Sequence, residues 1–260
     1  MDVTGKTAIV TGSAVGVGRQ TAVDLGRRGA NVVVNYSRSE AEAREAVSLV
    51  EQAGGRALLV KADVSDDTQV NAMVERTVAE FGGLHILVNN AAMTHFVTFA
   101  DLEGMKSDYW DDIFAVNVKG AFFCARAAAK AMRACVDAGQ ASAAIVNIAS
   151  VAGTRATGSS IAYAASKAAL INMTVSLAKV LGPEIRVNAV APGFIETRWL
   201  KNGLGDQVYE AAKAHQTRMA PLKCVCTPET VSQLVLSLIE GADMVTGECI
   251  TIDGGVGIAG

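Results

Sequence analysis

Short apolar runs alternate along the whole chain with longer stretches in which apolar positions recur near every 3.6 residues. The short runs are Thr7–Val10, Asn31–Val34, Ala57–Val60, Leu84–Val88, Ala144–Ile148, Ile185–Val190 and Glu248–Ile252. Most are continuously apolar, as in strands covered on both faces, rather than alternating as in half-exposed ones. The helical stretches between them cover 16–28, 39–53, 66–81, 107–134, 160–181 and 227–240. Parallel neighbours need crossover helices, and right-handed crossovers return the chain beside its starting strand. The pattern therefore predicts an α/β fold: a seven-stranded parallel sheet with helices on both faces. With no repeat, linker or low-complexity tract, the expectation is one domain over 1–260.

The rhythm breaks at 193–226. After Pro192-Gly193 come Trp199, Asn202-Gly203, Gly205 and a short amphipathic stretch at 206–217. Long excursions at the C-terminal ends of strands are where α/β folds build ligand covers, so this segment is expected to be a substrate lid.

Composition narrows the classes. The 260 residues carry 23 Lys plus Arg against 26 Asp plus Glu, and 50% are hydrophobic. No basic block offers the footprint of a nucleic-acid binder. The longest uncharged stretch, Ala138–Thr154, is broken by Gln140 and Asn147, so no membrane span is expected. The N-terminus lacks the basic flank and apolar stretch of a signal peptide. Five scattered cysteines (Cys124, Cys135, Cys224, Cys226, Cys249) fit reduced thiols, and Cys224-Val225-Cys226 lacks a nearby His to make a zinc site. A cytoplasmic protein without a metal is expected.

Two constellations carry chemistry. The first is the loop Thr11-Gly12-Ser13-Ala14-Val15-Gly16-Val17-Gly18 between the first strand and first helix. Gly12 permits a tight turn, Gly16 a close approach to pyrophosphate and Gly18 close helix–strand packing, while the helix N-terminus favours anions. At the end of the second strand, Val34-Asn35-Tyr36-Ser37-Arg38-Ser39 has no carboxylate before Glu40. A ribose 2′-OH calls for a carboxylate there, a 2′-phosphate for a cation, and Arg38 can grip phosphate bidentately with Ser37 or Ser39 beside it. NADP(H) is therefore expected ahead of NAD(H). Val15 stands where a second basic residue could have helped.

The second constellation is Tyr163-Ala164-Ala165-Ser166-Lys167, which places a phenol and an ammonium one turn apart on one helix face. A nearby cation is expected to lower the Tyr163 pKa and make an acid–base pair. Ser150, at the end of the fifth strand, projects from the same sheet edge as the glycine loop. No G-x-S-x-G elbow surrounds Ser150 and no His partners it, which argues against a serine hydrolase. Among the histidines, His85 reads as a packed strand residue and His215 as exposed, whereas His95 is open between pocket and loop. Ser159 and Ser160 read as caps of the Tyr163 helix. Phe96, Trp199 and Met219 are equally plausible as pocket walls or lid packing.

Together these motifs resemble the short-chain dehydrogenase/reductase family in its compact form, over Lys6 to about Gly255. The glycine pattern, Asp63-Val64, Asn89-Asn90-Ala91, Asn117, Ser150, Tyr163, Lys167 and Pro192-Gly193 fall in family order and spacing. The branch most resembled is that of the 3-oxoacyl-carrier-protein reductases. The resemblance implies a Rossmann-type doubly wound fold, with Tyr163 as proton donor and Lys167 lowering its pKa and binding the nicotinamide ribose. It further implies that Ser150 binds the carbonyl and Asn117 holds a water joining Lys167 to solvent. Asp63 and Val64 would flank adenine, Asn89 and Ala91 the adenosine side, and Thr197 the carboxamide, within a segment that includes Pro192, Gly193 and Ile195. Ala92 departs from the glycine usual at that position.

The reading these residues favour is an NADP(H)-dependent carbonyl reductase, reversible as an alcohol dehydrogenase acting on a small molecule. The alternatives are an NAD-dependent alcohol dehydrogenase of the same family and a non-catalytic dinucleotide-binding regulatory protein. A homotetramer is implied, burying the last strand and the helices near 107–134 and 160–181.

Overall fold

The computed structural model describes residues 1–137 and 143–259. The start of the uncharged stretch, including Gln140, lies outside the described residues. The element order is β1 Thr7–Val10, α1 Gly16–Arg27, β2 Asn31–Tyr36, α2 Glu40–Gln52, β3 Arg56–Lys61, α3 Asp67–Phe81 and β4 Ile86–Asn89. It continues through α4 Ser107–Phe114, a π-turn at Ala115–Gly120, α5 Ala121–Asp137, β5 Ala143–Ile148, α6 Ile161–Leu181 and β6 Ile185–Pro192. Then follow α7 Arg198–Leu204, α8 Asp206–Met219, α9 Pro228–Glu240 and β7 Cys249–Ile252.

The seven strands form one sheet in the order β3-β2-β1-β4-β5-β6-β7. Every pairing is parallel. Successive residues of each strand face opposite sides, so the apolar runs feed two cores. Ala8, Val10, Val32 and Val34 pack with α1, α2 and α9, whereas Ile9, Val33, Leu87 and Ile145 pack with α3, α5 and α6. This is the Rossmann-type doubly wound arrangement. The chain runs outward from β1 to β3 and then returns to the other side of β1 as β4. Ligands of such sheets bind at that reversal, outside the carboxyl ends of the strands. The glycine loop after β1 and Asn89-Asn90-Ala91 after β4 meet there.

Differences from the sequence reading have local causes. The stretch at 107–134 is two helices, because a π-turn widens the backbone at Ala115–Gly120. Such bulges insert one residue into the helical ladder and re-aim the side chains on it. The lid contains a helix, α7, which the turn-like Asn202-Gly203 concealed. Gly203 stays helical because the Phe96 ring packs onto it; a Cβ there would lie 2.0 Å from Phe96 Cζ. His85 precedes β4 rather than lying within it, and its Nδ1 accepts from the Thr7 amide at 3.1 Å.

Among the described residues one helix, α6, is long and apolar enough to cross a membrane by length and composition. Lys167 and Lys179 interrupt its apolar run, which hides it among uncharged stretches of the sequence. In the fold, Leu170, Leu177, Ala178 and Leu181 are buried, and Lys167 is buried with them. The outward face leaves Val175 at 52% and Val180 at 61% exposure.

Candidate active site

The glycine loop is shaped from beneath by Asn35, a polar residue inside an apolar strand. Its Oδ1 accepts from the Gly12 amide at 3.0 Å, and its Nδ2 donates to Ala62 O at 3.0 Å. Ser13 is fully buried; its hydroxyl donates to Val10 O and accepts from the Asn35 amide, while its N–H donates to Asn35 O. Ser13 therefore builds the loop that is expected to hold the cofactor. Asn90 clamps the loop from the other side, donating from Nδ2 to Thr11 O at 2.8 Å and Gly12 O at 3.0 Å. Gly18 packs against that amide, with no room for a Cβ.

Above the loop the space is open. Gly16 has φ +59, and the nearest atom to a Cβ built there is Thr197 Cγ2 at 3.9 Å. Val15 is the N-cap of α1 without a side-chain cap, and the first turn has no acidic residue. The N–H groups near Val17 thus face a cradle that fits the pyrophosphate of a dinucleotide. Thr197, N-cap of α7, forms its far wall.

At the end of β2, Ser37 and Arg38 are exposed, and Arg38 has no ion pair among the described residues. Tyr36 is buried, and burial together with Glu40 raises its phenol pKa. Asp63 accepts through Oδ1 from the amide and hydroxyl of Ser65. The Val64 side chain is buried, and Gly120 packs against it. The Asn89 amide turns into the sheet, donating to Ala121 O and Asn147 Oδ1. Its side chain is therefore committed away from the adenosine side. Ala91 lies against Gly12. Gly193 donates to Ile252 O and has no room for a side chain beside Asp253. Pro192 ends β6, and Ile195 bridges to Cys226.

Tyr163, Lys167 and Ser150 converge at the carboxyl edge of the sheet. Ser160 caps α6 by accepting from the Tyr163 amide at 3.2 Å, which fixes where the helix begins. Ser159 instead pairs with Thr94, Oγ to Oγ1, at 2.6 Å. Lys167 Nζ donates to Ile148 O at 2.7 Å and lies 5.6 Å from the Tyr163 ring centroid. Burial pushes Lys167 down to about 8. Burial pushes Tyr163 up to about 12, and a hydrogen bond with Ser150 pulls the other way. Burial thus sets the direction of the Tyr163 shift, opposite to the lowering expected from the sequence, and Ser150 only opposes it. The phenol therefore carries its proton at neutral pH.

Asn117 sits on the π-turn. Its Oδ1 accepts from the Met93 amide at 2.9 Å, and its Nδ2 donates to Met93 O and Ser166 Oγ, each at 3.0 Å. These bonds tie the loop after β4 to α6.

A model described as Enoyl-(Acyl carrier protein) reductase matches residues 12–257. The chain is 37% identical over 248 residues to ketoacyl reductase 2 of the granaticin polyketide synthase from Streptomyces violaceoruber, covering 95% of this chain and 94% of that one. It is 35% identical over 253 residues to the 3-oxoacyl-(acyl-carrier-protein) reductase of Staphylococcus aureus, covering 96% and 98%. The chain belongs to the short-chain dehydrogenase/reductase family.

Within the family it falls in the 3-oxoacyl-carrier-protein-reductase-like branch, as an NAD(P)-dependent oxidoreductase of the CH–OH/C=O couple. A short-chain dehydrogenase from Burkholderia cenocepacia, solved in complex with NADP, superposes with a TM-score of 0.86 at 32% identity, covering 99% of this chain and all of that one.

Residues that the sequence reading did not single out for the site are Asn35, Asn90 and the pair Arg155–Asp253. Asp253 accepts from Arg155 Nη1 at 2.7 Å and from the amides of Gly255 and Gly257, joining the loop after Ser150 to the end of β7. The signal for Asn35 was present, since a polar residue ends an otherwise apolar run. Arg155 and Asp253 are 98 positions apart, and no local pattern links them.

Proposed function

We propose that this short-chain dehydrogenase/reductase is an NADP(H)-dependent carbonyl reductase, reversible as an alcohol dehydrogenase on a ketone or secondary alcohol. The observation that carries the reading is the convergence of Ser150, Tyr163 and Lys167 at the sheet edge that also holds the open glycine cradle. Gly12, Val15, Gly16, Val17 and Gly18 would hold the pyrophosphate, with Thr197 opposite. Asp63, Val64, Asn89 and Ala91 would line the adenosine side, the last three through backbone. Pro192, Gly193 and Ile195 would shape the nicotinamide end. Tyr36, Ser37 and Arg38 would border the 2′-position. When bound, the reduced nicotinamide supplies the hydride.

The chain's own residues do the rest. Tyr163 donates its phenolic proton to the substrate oxygen, and Ser150 donates a second hydrogen bond to it. Two donors aimed at the oxygen where charge develops stabilise the transition state. Lys167 holds a proton behind Tyr163, and Asn117 keeps the wall of the site in register.

The whole chain would act as one dinucleotide-binding and catalytic unit, with 193–226 as its lid. We further propose a homotetramer. Support comes from the exposed Val175 and Val180 on α6 and the groove between α5 and α6, lined by Phe122, Ala125, Ala129 and Leu177.

Arg38 carries the cofactor assignment: it is exposed, has no carboxylate partner among the described residues and follows β2, where a 2′-phosphate is expected. The test is a fluorescence titration of NADPH against NADH on wild type and Arg38→Ala. NADPH is expected to bind at least tenfold tighter (about 1.4 kcal/mol), and the variant to lose that preference. Equal or tighter binding of NADH would overturn the assignment.

A further inference from the structure

We propose that Trp199 and Phe96 form an aromatic wall that selects flat, fused-ring ketones for reduction at Tyr163, in preference to flexible acyl thioesters. The proposal rests on the carbonyl-reductase reading and names the substrate class of that site. Three rings stand in a row. Trp199 lies 6.4 Å from the Tyr163 ring with a tilt of 45°, and Phe96 lies 5.9 Å from Trp199 with a tilt of 52°. Trp199 and Phe96 are left open, at 45% and 38% exposure. Large apolar faces bare to water beside a reacting group are surface that a ligand can cover, and aromatic faces prefer to cover one another in offset or tilted contacts.

The wall is built rather than fortuitous. Thr94 pairs with Ser159, and the Val97 amide donates to Ser159 O at 2.9 Å, so the loop bearing Phe96 is pinned to the start of the Tyr163 helix. From the lid side, Gly203 gives Phe96 a flat backbone to lie on. Phe96 thus comes from the body, Trp199 from the lid, and both are held at a fixed place relative to the phenol.

Three of the lid's five cations are paired within the chain. Arg198 pairs with Glu42 at 3.2 Å, Lys201 with Asp206 at 3.6 Å and Lys213 with Glu196 at 2.7 Å. Arg218 and Lys223, the other two, contact the His215 ring and the Arg218 carbonyl instead.

The test compares three ketones with NADPH: β-tetralone as the flat bicyclic probe, butanone as the small one, and the acetoacetyl thioester of N-acetylcysteamine as the flexible one. Wild type is expected to favour β-tetralone over the thioester at least tenfold in kcat/KM. Trp199→Ala is expected to reduce the β-tetralone to butanone ratio at least tenfold, mainly through KM, with Trp199→Phe restoring most of it. Gly203→Ala, which displaces Phe96 without altering Tyr163, should move the ratio the same way.

Binding is read separately in Trp110→Phe, where Trp199 is the only tryptophan, by quenching of its fluorescence with β-tetralone. Preference for the thioester, or equal losses on β-tetralone and butanone, overturns the proposal and leaves the reductase reading intact. Saturable quenching without turnover of any ketone supports the aromatic site and overturns the reductase reading instead.

Discussion

Tyr163 and Lys167 show how one residue pair sets chemistry and stability together. A general acid contributes roughly 10²- to 10⁴-fold to a rate, so Tyr163→Phe should lower kcat by about a thousandfold while the circular dichroism spectrum stays unchanged. Burial lowers Lys167 from 10.5 to about 8 in the folded chain. Between those values the unfolded chain binds the proton and the folded one does not, so stability rises with pH across the window. Tyr163 acts in the opposite sense, but only from 10 to about 12. Denaturant melts at pH 7.5 and 9.5 should therefore show wild type gaining about 2 kcal/mol relative to Lys167→Met. No relative gain would mean that Lys167 is uncharged or solvated at both pH values.

At the scale of elements, helix ends decide much of what positions the site. Arg186 on β6 is buried, yet it donates to Leu238 O and Ile239 O at the end of α9 and to Ala242 O just beyond it. A cation at a helix C-terminus meets the negative end of the dipole and satisfies carbonyls with no helical partner. Ile239 O also accepts from the Met1 amino group and Ala242 O from the Val245 amide, so Arg186→Met leaves Leu238 O unpaired and should cost about 2 kcal/mol, measured as a fall in denaturant midpoint at unchanged slope. The loss should exceed that for Ser160→Ala, where one cap bond costs about 1 kcal/mol.

For the molecule as a whole, α6 makes the general point. One face lies on the sheet, and the other leaves Ala168, Val175 and Val180 uncovered beside Asn172, Ser176 and Lys179. Association with copies of the same chain would cover that face. The pair Val175→Asp and Val180→Asp should shift sedimentation velocity from a tetramer to smaller species. An unchanged coefficient would place the interface elsewhere, or show that wild type does not assemble.

Strand positions, sheet order class and the catalytic spacing were legible in the sequence because each rests on local periodicity: continuous apolar runs, 3.6-residue helices and a four-residue step from Tyr163 to Lys167. The glycine loop was legible because backbone geometry at Gly12 and Gly16 restricts residue choice. Tertiary structure alone decided the rest. It turned the Asn89 amide and Ser13 inward, since their partners Asn147 and Asn35 arrive from other strands. It committed Asn117 to Met93 and Ser166, and raised the Tyr163 pKa, because burial depends on what packs around a side chain. It also made α7 a helix and set Trp199 beside Tyr163. That contact joins residues 36 positions apart, and no local pattern of apolar and polar residues encodes where the lid comes down.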